Sequence, residues 1–193
     1  MKRIQLVFTG VMLCCSLWLS AQQNGKSKTP VFPFSTINQG GLILGSDEYE
    51  LLLQSINGVR YKSWFGGIGI GLDYYYLRSV PVFFEVRKML QPGKWPLFVY
   101  GDVGTNMAWL KDSEKEDLWY SSKINKGLYY DIGAGFDFKL KKASFIISGG
   151  YATKELHEVR TYAYIWGPPG MPEKQDFVDY KFSRIVLKAG FQF

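Results

Sequence analysis

The chain has 193 residues, a formal charge of +6, 47% hydrophobic residues and 21% charged residues. A mean hydropathy of −0.09 excludes a polytopic helical membrane protein, and the apolar content excludes a disordered chain. Basic residues are interleaved with acidic ones and form no stripe, so we expect no nucleic-acid partner. Aromatic residues reach 17% and there are 21 glycines, a composition that favours β-structure.

The N-terminal segment is typical of a secretory signal peptide. Lys2 and Arg3 precede an apolar run at 4–19, and small residues around Ala21 follow it. This run is shorter than the roughly 18 residues that a membrane-spanning helix needs. We therefore predict a signal peptide at 1–21, with cleavage near Ala21, a short periplasmic segment at 22–33 and one barrel domain at 34–193.

The two cysteines of the chain, Cys14 and Cys15, both lie inside the predicted signal peptide. A mature chain that begins near Gln22 would carry no disulfide and no thiolate metal site. Its stability must then come from its strands and from how they pack.

Residues after position 34 alternate between apolar and polar or glycine positions, which predicts strands. In the clearest segment, 127–139, every even position is apolar and every odd position except Tyr129 is glycine or charged. No stretch keeps a helical period for three turns. We predict an all-β fold, an eight-stranded antiparallel transmembrane β-barrel. The predicted strands lie at 34–45, 48–56, 60–76, 79–90, 94–110, 126–140, 143–155 and 180–193.

The connections between the predicted strands alternate between short and long. Asn57-Gly58 fits a two-residue type I′ turn, Pro92-Gly93 fits a tight turn, and Lys141-Lys142 joins two strands almost directly. Long connections are predicted at 111–125 and 156–179. Short turns at one end and long loops at the other are typical of outer-membrane barrels, with both termini on the periplasmic side.

The two faces of the predicted strands differ in a way that favours a membrane barrel over a soluble one. Wide apolar and aromatic faces suit lipid, whereas the opposite faces mix glycine and charge and suit a narrow, filled interior. The interior charges nearly balance, as a paired network requires. The predicted interior network consists of Asp73, Glu85, Arg87, Asp102, Asp131, Asp137, Lys139, Arg184 and Lys188.

Aromatic residues near the strand ends predict a membrane girdle. Trp64 and Tyr74 share one face of a strand and lie ten residues apart. With a rise of about 3.3 Å per residue and a tilt near 40°, they are separated by roughly 25 Å along the membrane normal. The predicted girdle consists of Trp64, Tyr74, Trp95, Trp109, Tyr130 and Phe138.

Residues 57–61, the glycine-rich run at 65–75 and the terminal Gly190-Phe191-Gln192-Phe193 together resemble the small outer-membrane β-barrel proteins of Gram-negative bacteria, of the OmpA/OmpX type. The resemblance covers 34–193. It implies an outer-membrane location in the cell envelope and contact with outer-membrane lipid. It also implies recognition by the barrel-assembly machinery through Phe191 and Phe193. A monomer is expected, and the surface partner is unknown.

The sequence contains little candidate chemistry. Some barrels that resemble this one modify lipids with a His and a nearby Ser, but His157, the only histidine, has no Ser two residues on. We expect no catalytic residue, no cofactor and no metal site. The aromatic and proline-rich stretch 162–172 could contact a surface partner or pack on itself as a cap.

Four functions follow from this reading. The leading one is a non-catalytic outer-membrane barrel with a filled interior and an envelope-structural or surface-contact role. The alternatives are a lipid-modifying barrel enzyme, a narrow porin-like ion channel, and a soluble lipocalin-like ligand-binding barrel with inverted faces.

Overall fold

The alternating segments form long antiparallel strands in the computed structural model, which describes residues 32–45, 49–75, 77–90, 96–109, 120–162 and 174–193. This described part contains no helix long and apolar enough to cross a membrane. The strands are β1 (Phe34–Leu44), β2 (Tyr49–Tyr61), β3 (Trp64–Asp73), β4 (Ser79–Met89), β5 (Leu97–Ala108), β6 (Tyr120–Asn125), β7 (Gly127–Lys139), β8 (Ser144–Tyr162) and β9 (Lys174–Gln192).

The sheet closes on itself as an eight-stranded barrel. β1 pairs with β2 on one side and with β9 on the other, and the remaining pairs are also antiparallel. Only Lys126 separates β6 from β7, and both strands pair with β8. β6 pairs with residues 157–162 of β8, and β7 pairs with residues 144–154. β6 therefore prolongs β7 and adds no further position around the barrel. The predicted all-β, eight-stranded antiparallel barrel is confirmed.

The barrel has two different ends. At one end, which we call the turn end, β2 joins β3 through Lys62 and Ser63, and β7 joins β8 through 140–143. Phe34 and Gln192 also lie at this end, because the first and last strands pair there. At the opposite end, the loop end, the connections include 109–119 and 163–173, which lie almost entirely outside the described residues.

The predicted turn at Asn57-Gly58 is wrong. Both residues lie inside β2, where Asn57 pairs with Ile68 and Gly58 with Gly67 of β3. The chain turns instead at Lys62, whose φ of 55° is left-handed. A Cβ on Gly58 would come within 2.2 Å of the Gly66 carbonyl oxygen, so close backbone packing, and not a turn, requires glycine there.

The predicted long loops at 111–125 and 156–179 are wrong in part. β8 continues to Tyr162, β9 begins at Lys174, and β6 occupies 120–125. Together β6, residues 156–162 and residues 174–180 form a three-stranded extension that we call the outer sheet. Polar residues occur on both of its faces, as His157 and Glu158 show, and this mixed pattern is the same one that predicts a solvated loop.

The interior of the barrel is packed with apolar and aromatic side chains as well as charges. The larger interior cluster extends from the turn end and contains Ile37, Ile56, Phe65, Phe83, Phe98, Tyr100, Tyr129 and Ile146. A smaller cluster of Ile43, Leu52 and Val186 lies nearer the loop end. The inward glycines leave room for these rings: a Cβ on Gly69 would meet Phe83 at 2.4 Å.

Candidate functional site

One lysine joins two acidic residues at the centre of the interior. The Lys188 amine donates to Asp131 Oδ2 over 2.8 Å and lies 3.8 Å from Asp102 Oδ2. All three side chains are 0–1% exposed. The amine also lies 4.2 Å from the centre of the Tyr100 ring, whose hydroxyl donates to Asp131 Oδ1 over 3.0 Å. A single cation therefore compensates two buried carboxylates from neighbouring strands.

A second ion pair lies one layer nearer the turn end. The Arg87 guanidinium donates from Nε to Glu85 Oε1 over 2.9 Å, and its Nη2 lies 2.9 Å from the same oxygen. Its flat face covers the Phe98 ring, with the central carbon 4.2 Å from the ring centre. Glu85 and Arg87 are two residues apart on β4, so strand alternation alone points both inward.

A third interior group ties a loop to the barrel wall. The Lys154 amine on β8 lies 3.1 Å from Asp73 Oδ2 and 2.9 Å from the Ser79 hydroxyl. It also lies 2.9 Å and 3.1 Å from the carbonyl oxygens of Tyr75 and Leu77. These acceptors surround the β3–β4 connection, so a buried amine holds the connection against β8. We call this arrangement the lysine clamp.

The structure places eight of the nine predicted network residues in the interior, where they are buried. The ninth, Lys139, is exposed at the turn end of β7, so its assignment to the interior is wrong. Lys139 follows the alternation of Asp137, but it is the last residue of the strand and its side chain reaches solvent. Asp137 instead has Arg60 at 3.9 Å, and Arg184 covers the ring of Tyr75.

Little free space remains among these side chains. The interior cavity bordered by Asp73, Lys154 and Arg184 measures about 10 Å³, enough for a single water at most. Within the described ranges, no three His, Cys, Asp or Glu residues come together in a way that could hold a metal ion. The contacts of these side chains support charge pairing and packing.

The outer sheet carries its own polar network on the side that continues the barrel interior. Glu158 accepts hydrogen bonds from Arg160, Ser122 and Tyr180 over 2.9, 2.6 and 2.8 Å. Burial alone would raise the pKa of the Glu158 carboxyl, but the hydrogen bonds from Arg160, Ser122 and Tyr180 outweigh it and lower this pKa below its usual value of 4.5. The network fastens β6 and β9 to β8.

His157 lies on the opposite face of the outer sheet. Its Nδ1 is 2.6 Å from Asp179 Oδ1, and both side chains are exposed. Among the described residues, the hydrogen bonds of His157 include none with a serine. The residue belongs to a strand and not to a loop base, and its partner is the residue paired with it in β9. Most of the stretch 162–172 lies outside the described residues.

The outward face of the barrel is mainly apolar between its two aromatic borders. Large exposed side chains of the middle zone include Ile68, Ile70, Phe84, Val103 and Ile132, which is 65% exposed. Of the predicted girdle residues, Trp64 and Phe138 lie at the turn end, Tyr74 and Trp109 at the loop end, and all four are exposed. Tyr130 is half-buried on β7, and Trp95 lies outside the described residues. At the turn end Lys88 covers the Trp64 ring at 4.3 Å.

The last residues of the sequence belong to the seam that closes the barrel. Phe191 and Phe193 both point outward, and Phe191 packs against Phe145 with 5.4 Å between ring centres. The Phe193 backbone exchanges two hydrogen bonds with Thr36, over 2.9 and 3.1 Å. The rings therefore face outward, while the backbone is used to join β9 to β1.

Comparison with protein-family models and with curated proteins finds no match for this chain.

Sequence reasoning missed Lys154 and Arg60. The alternation could have identified Lys154, because Ser148, Ala152 and Lys154 share one parity on β8 and Ser148 is buried. Arg60 was missed because the turn was placed at Asn57-Gly58, which removes it from β2. With Lys154 and the one-third-exposed Arg60 in place of Lys139, the network among the described residues contains five acidic and five basic side chains. The acidic residues are Asp73, Glu85, Asp102, Asp131 and Asp137, and the basic residues are Arg60, Arg87, Lys154, Arg184 and Lys188.

Proposed function

We propose that this protein is an integral outer-membrane β-barrel with a filled interior and a non-catalytic, envelope-structural or surface-contact role. One observation carries the proposal: the outer surface of the barrel carries large exposed apolar residues, whereas the charged network lies inside. Ile68 is 66% exposed and Ile132 is 65% exposed, whereas Glu85 and Asp131 are buried. Water would penalise such an outer surface, and lipid would favour it.

Three alternatives receive less support from the same residues. A soluble lipocalin-like barrel needs an apolar cavity and a polar outer surface, and the faces here are the reverse. A lipid-modifying enzyme needs a nucleophile beside its base, and His157 is hydrogen-bonded to Asp179 on an exposed face. A narrow ion channel would require an opening through the paired charges, where the cavity is about 10 Å³.

Cell fractionation tests the location. We expect the chain in the outer-membrane fraction after carbonate washing, and its gel mobility should change on heating, as for a folded barrel. Recovery of the chain in the soluble periplasm would overturn the proposal. The purified protein in planar bilayers should show no stable conductance steps. Steady ion-selective steps would indicate a channel and would contradict the filled interior.

Epitope tags test the orientation that the barrel ends suggest. We propose that the outer sheet projects from the cell and that the turn end faces the periplasm, because long connections are typical of the outer side. A tag at 168–169 should bind antibody on intact cells, whereas a tag at Lys141-Lys142 should bind only after the outer membrane is opened. The reverse result would invert the proposed surface-contact role of the outer sheet.

Recognition by the barrel-assembly machinery can be separated from barrel closure at Phe193. Phe193→Ala removes the outward ring but keeps the backbone hydrogen bonds to Thr36, whereas deletion of Phe193 removes both. If the ring is a recognition signal, Phe193→Ala should lower assembly in cells and leave refolding in detergent unchanged. Equal assembly of Phe193→Ala and the parent chain in cells would contradict that role.

A further inference from the structure

Four polar side chains interrupt the apolar outer surface of the barrel. They are Thr36 and Asn38 on β1 and Ser55 and Asn57 on β2, which we call the polar patch. Ser55 pairs with Ile70 and Asn57 pairs with Ile68, in the middle of β3. Because β3 runs between the girdle residues Trp64 and Tyr74, the patch lies at mid-depth of the apolar band and not at its edges.

The side chains of the polar patch only partly satisfy one another. Thr36 Oγ1 donates to Asn57 Oδ1 over 2.9 Å, and Ser55 Oγ donates to Asn38 Oδ1 over 2.8 Å. Each of these carboxamides keeps an NH₂ group for which the described residues supply no hydrogen-bond partner. Turning an amide round leaves the same number of free groups, because a hydroxyl can donate or accept. Amide groups without a hydrogen-bond partner are unfavourable in hydrocarbon. The polar patch would therefore be stabilised by contact with another polar surface.

A groove of about 870 Å³ lies beside the polar patch and crosses from β9 over β1 and β2 to β3. Its lining includes the small outward residues Gly40, Ser55 and Ala189. A Cβ on Gly40 would make only ordinary contact, 3.5 Å from Leu53 Cδ2, so the barrel itself does not require glycine there. Small residues on a membrane-facing surface let another protein surface approach closely.

We propose that the polar patch and its groove bind a second copy of this chain in the membrane. Lipid tails can fill the groove but offer no donor or acceptor, and a membrane helix satisfies its own backbone. A second copy brings Asn38 and Asn57 again, each with one donor and one acceptor side. A two-fold contact is self-complementary and pairs the free amides across the interface. The inference rests on the proposed outer-membrane location and replaces the expected monomer with a dimer.

Disulfide cross-linking tests the contact in the full chain. Ser55→Cys places a thiol in the polar patch, and Val103→Cys places one on β5, four strand positions from β1 around the closed sheet. After oxidation of outer membranes, we expect about tenfold more cross-linked dimer from Ser55→Cys than from Val103→Cys, since polar contacts of this kind favour the specific pair by about that factor. The parent chain, which should carry no cysteine once the predicted signal peptide is cleaved, gives the background.

Matched steric variants show whether the groove is part of the contact. Gly40→Leu and Gly101→Leu both add a side chain at an outward glycine, and nothing lies within 4 Å of a Cβ at Gly101. In the Ser55→Cys chain, Gly40→Leu should remove most of the dimer and Gly101→Leu should leave it unchanged. The heat-dependent gel shift verifies that both variants fold.

Removal of the polar groups gives an independent test. Asn38→Leu with Asn57→Leu should reduce the cross-linked dimer of the Ser55→Cys chain by about tenfold. The denaturant midpoint at high dilution in lipid should stay the same or rise, because the monomer then exposes less polar surface to lipid. A fall of that midpoint with unchanged cross-linking would mean that the patch only supports the monomer.

Three results would overturn the inference. The first is a membrane-located chain whose Ser55→Cys variant gives no more dimer than the parent chain. The second is equal cross-linking at Ser55 and Val103, which indicates random collision. The third is a cross-linked product whose mass identifies a different protein. Each of these results leaves the outer-membrane proposal intact. Recovery of the chain in the soluble fraction would overturn both the outer-membrane proposal and the dimer.

Discussion

The inward and outward faces of this barrel differ in how much space surrounds each residue, and their glycines show this difference most directly. A Cβ added to inward Gly69 would meet Phe83 at 2.4 Å, whereas a Cβ added to outward Gly101 would meet nothing within 4 Å. Interior positions are therefore specified by particular neighbours. Outward positions need only to suit the medium, which leaves them free to vary among apolar residues. This barrel thus concentrates its packing constraints on one side of every strand.

The largest effect should come from the central interior cation. Lys188→Met leaves Asp102 and Asp131 without their shared partner, and breaking a buried pair costs about 3–5 kcal/mol. Unfolding by urea in lipid vesicles measures the loss. Lys139→Met is the matched control, since Lys139 is exposed and its loss should stay within about 0.5 kcal/mol. Equal effects of the two variants would mean that the interior charges are solvated and unpaired.

An arginine on the outward face sharpens the comparison between lipid and water. Ile132→Arg should destabilise the folded barrel by about 2–4 kcal/mol, because the proposed outer-membrane location puts this outward side chain near the middle of the bilayer. Phe177→Arg on the outer sheet is the control: Phe177 is 75% exposed, and its replacement should change the free energy of unfolding by less than about 0.5 kcal/mol. Similar stability of Ile132→Arg and the parent chain would place that face in water.

Adding one methyl group to either face tests the steric difference itself. Gly69→Ala should lose about 1–3 kcal/mol through crowding against Phe83. Gly101→Ala should be neutral or slightly stabilising, by about 0.4–1 kcal/mol, because the added methyl restricts the unfolded chain and meets no neighbour. The same urea titration ranks the two, and a larger loss at Gly101 would reverse our assignment of inside and outside.

The smallest predicted effect lies outside the barrel, at Glu158. Its pKa is lowered below 4.5 in the folded state, so its stabilising contribution is present above 4.5 and is lost as the pH falls through the folded pKa. Carboxyl NMR titration measures this pKa directly, and Tyr180→Phe should raise it by removing one donor. At pH 7 the outer sheet should be less stable in the Glu158→Gln variant than in the parent chain. The two chains should become alike at low pH, and a folded pKa at or above 4.5 would contradict the network.

The strand alternation predicted the barrel and most of its interior, because a period of two fixes the face of every residue once a strand is identified. Glu85, Asp102 and Asp131 lie inward on strands whose alternation is unbroken. The predictions of burial fail at strand ends, where the alternation no longer determines the direction of a side chain. Lys139 is the last residue of β7, and a long side chain at a strand end can reach solvent.

The turn at Lys62 and the outer sheet could not be read from local sequence. Asn57-Gly58 has the composition of a tight turn, but Gly58 is selected by the close approach of Gly66 on β3, which no local pattern reveals. In the outer sheet, residues such as His157 and Asp179 pair across strands in water, so no apolar face marks them as strand residues. The lysine clamp likewise depends on residues as far apart as Asp73 and Lys154, which only the closed barrel brings together.

The closing seam makes the folding of this barrel all-or-none. Ser35 Oγ donates to the Phe193 carbonyl oxygen over 2.8 Å across a separation of 158 residues. Closing a loop of that length costs about 4–5 kcal/mol in chain entropy, far more than one hydrogen bond returns. The pairs from Ile37↔Gln192 to Leu44↔Ile185 must therefore form together. We therefore expect an open sheet with two free edges to be sparsely populated during unfolding, because its pairs are lost together.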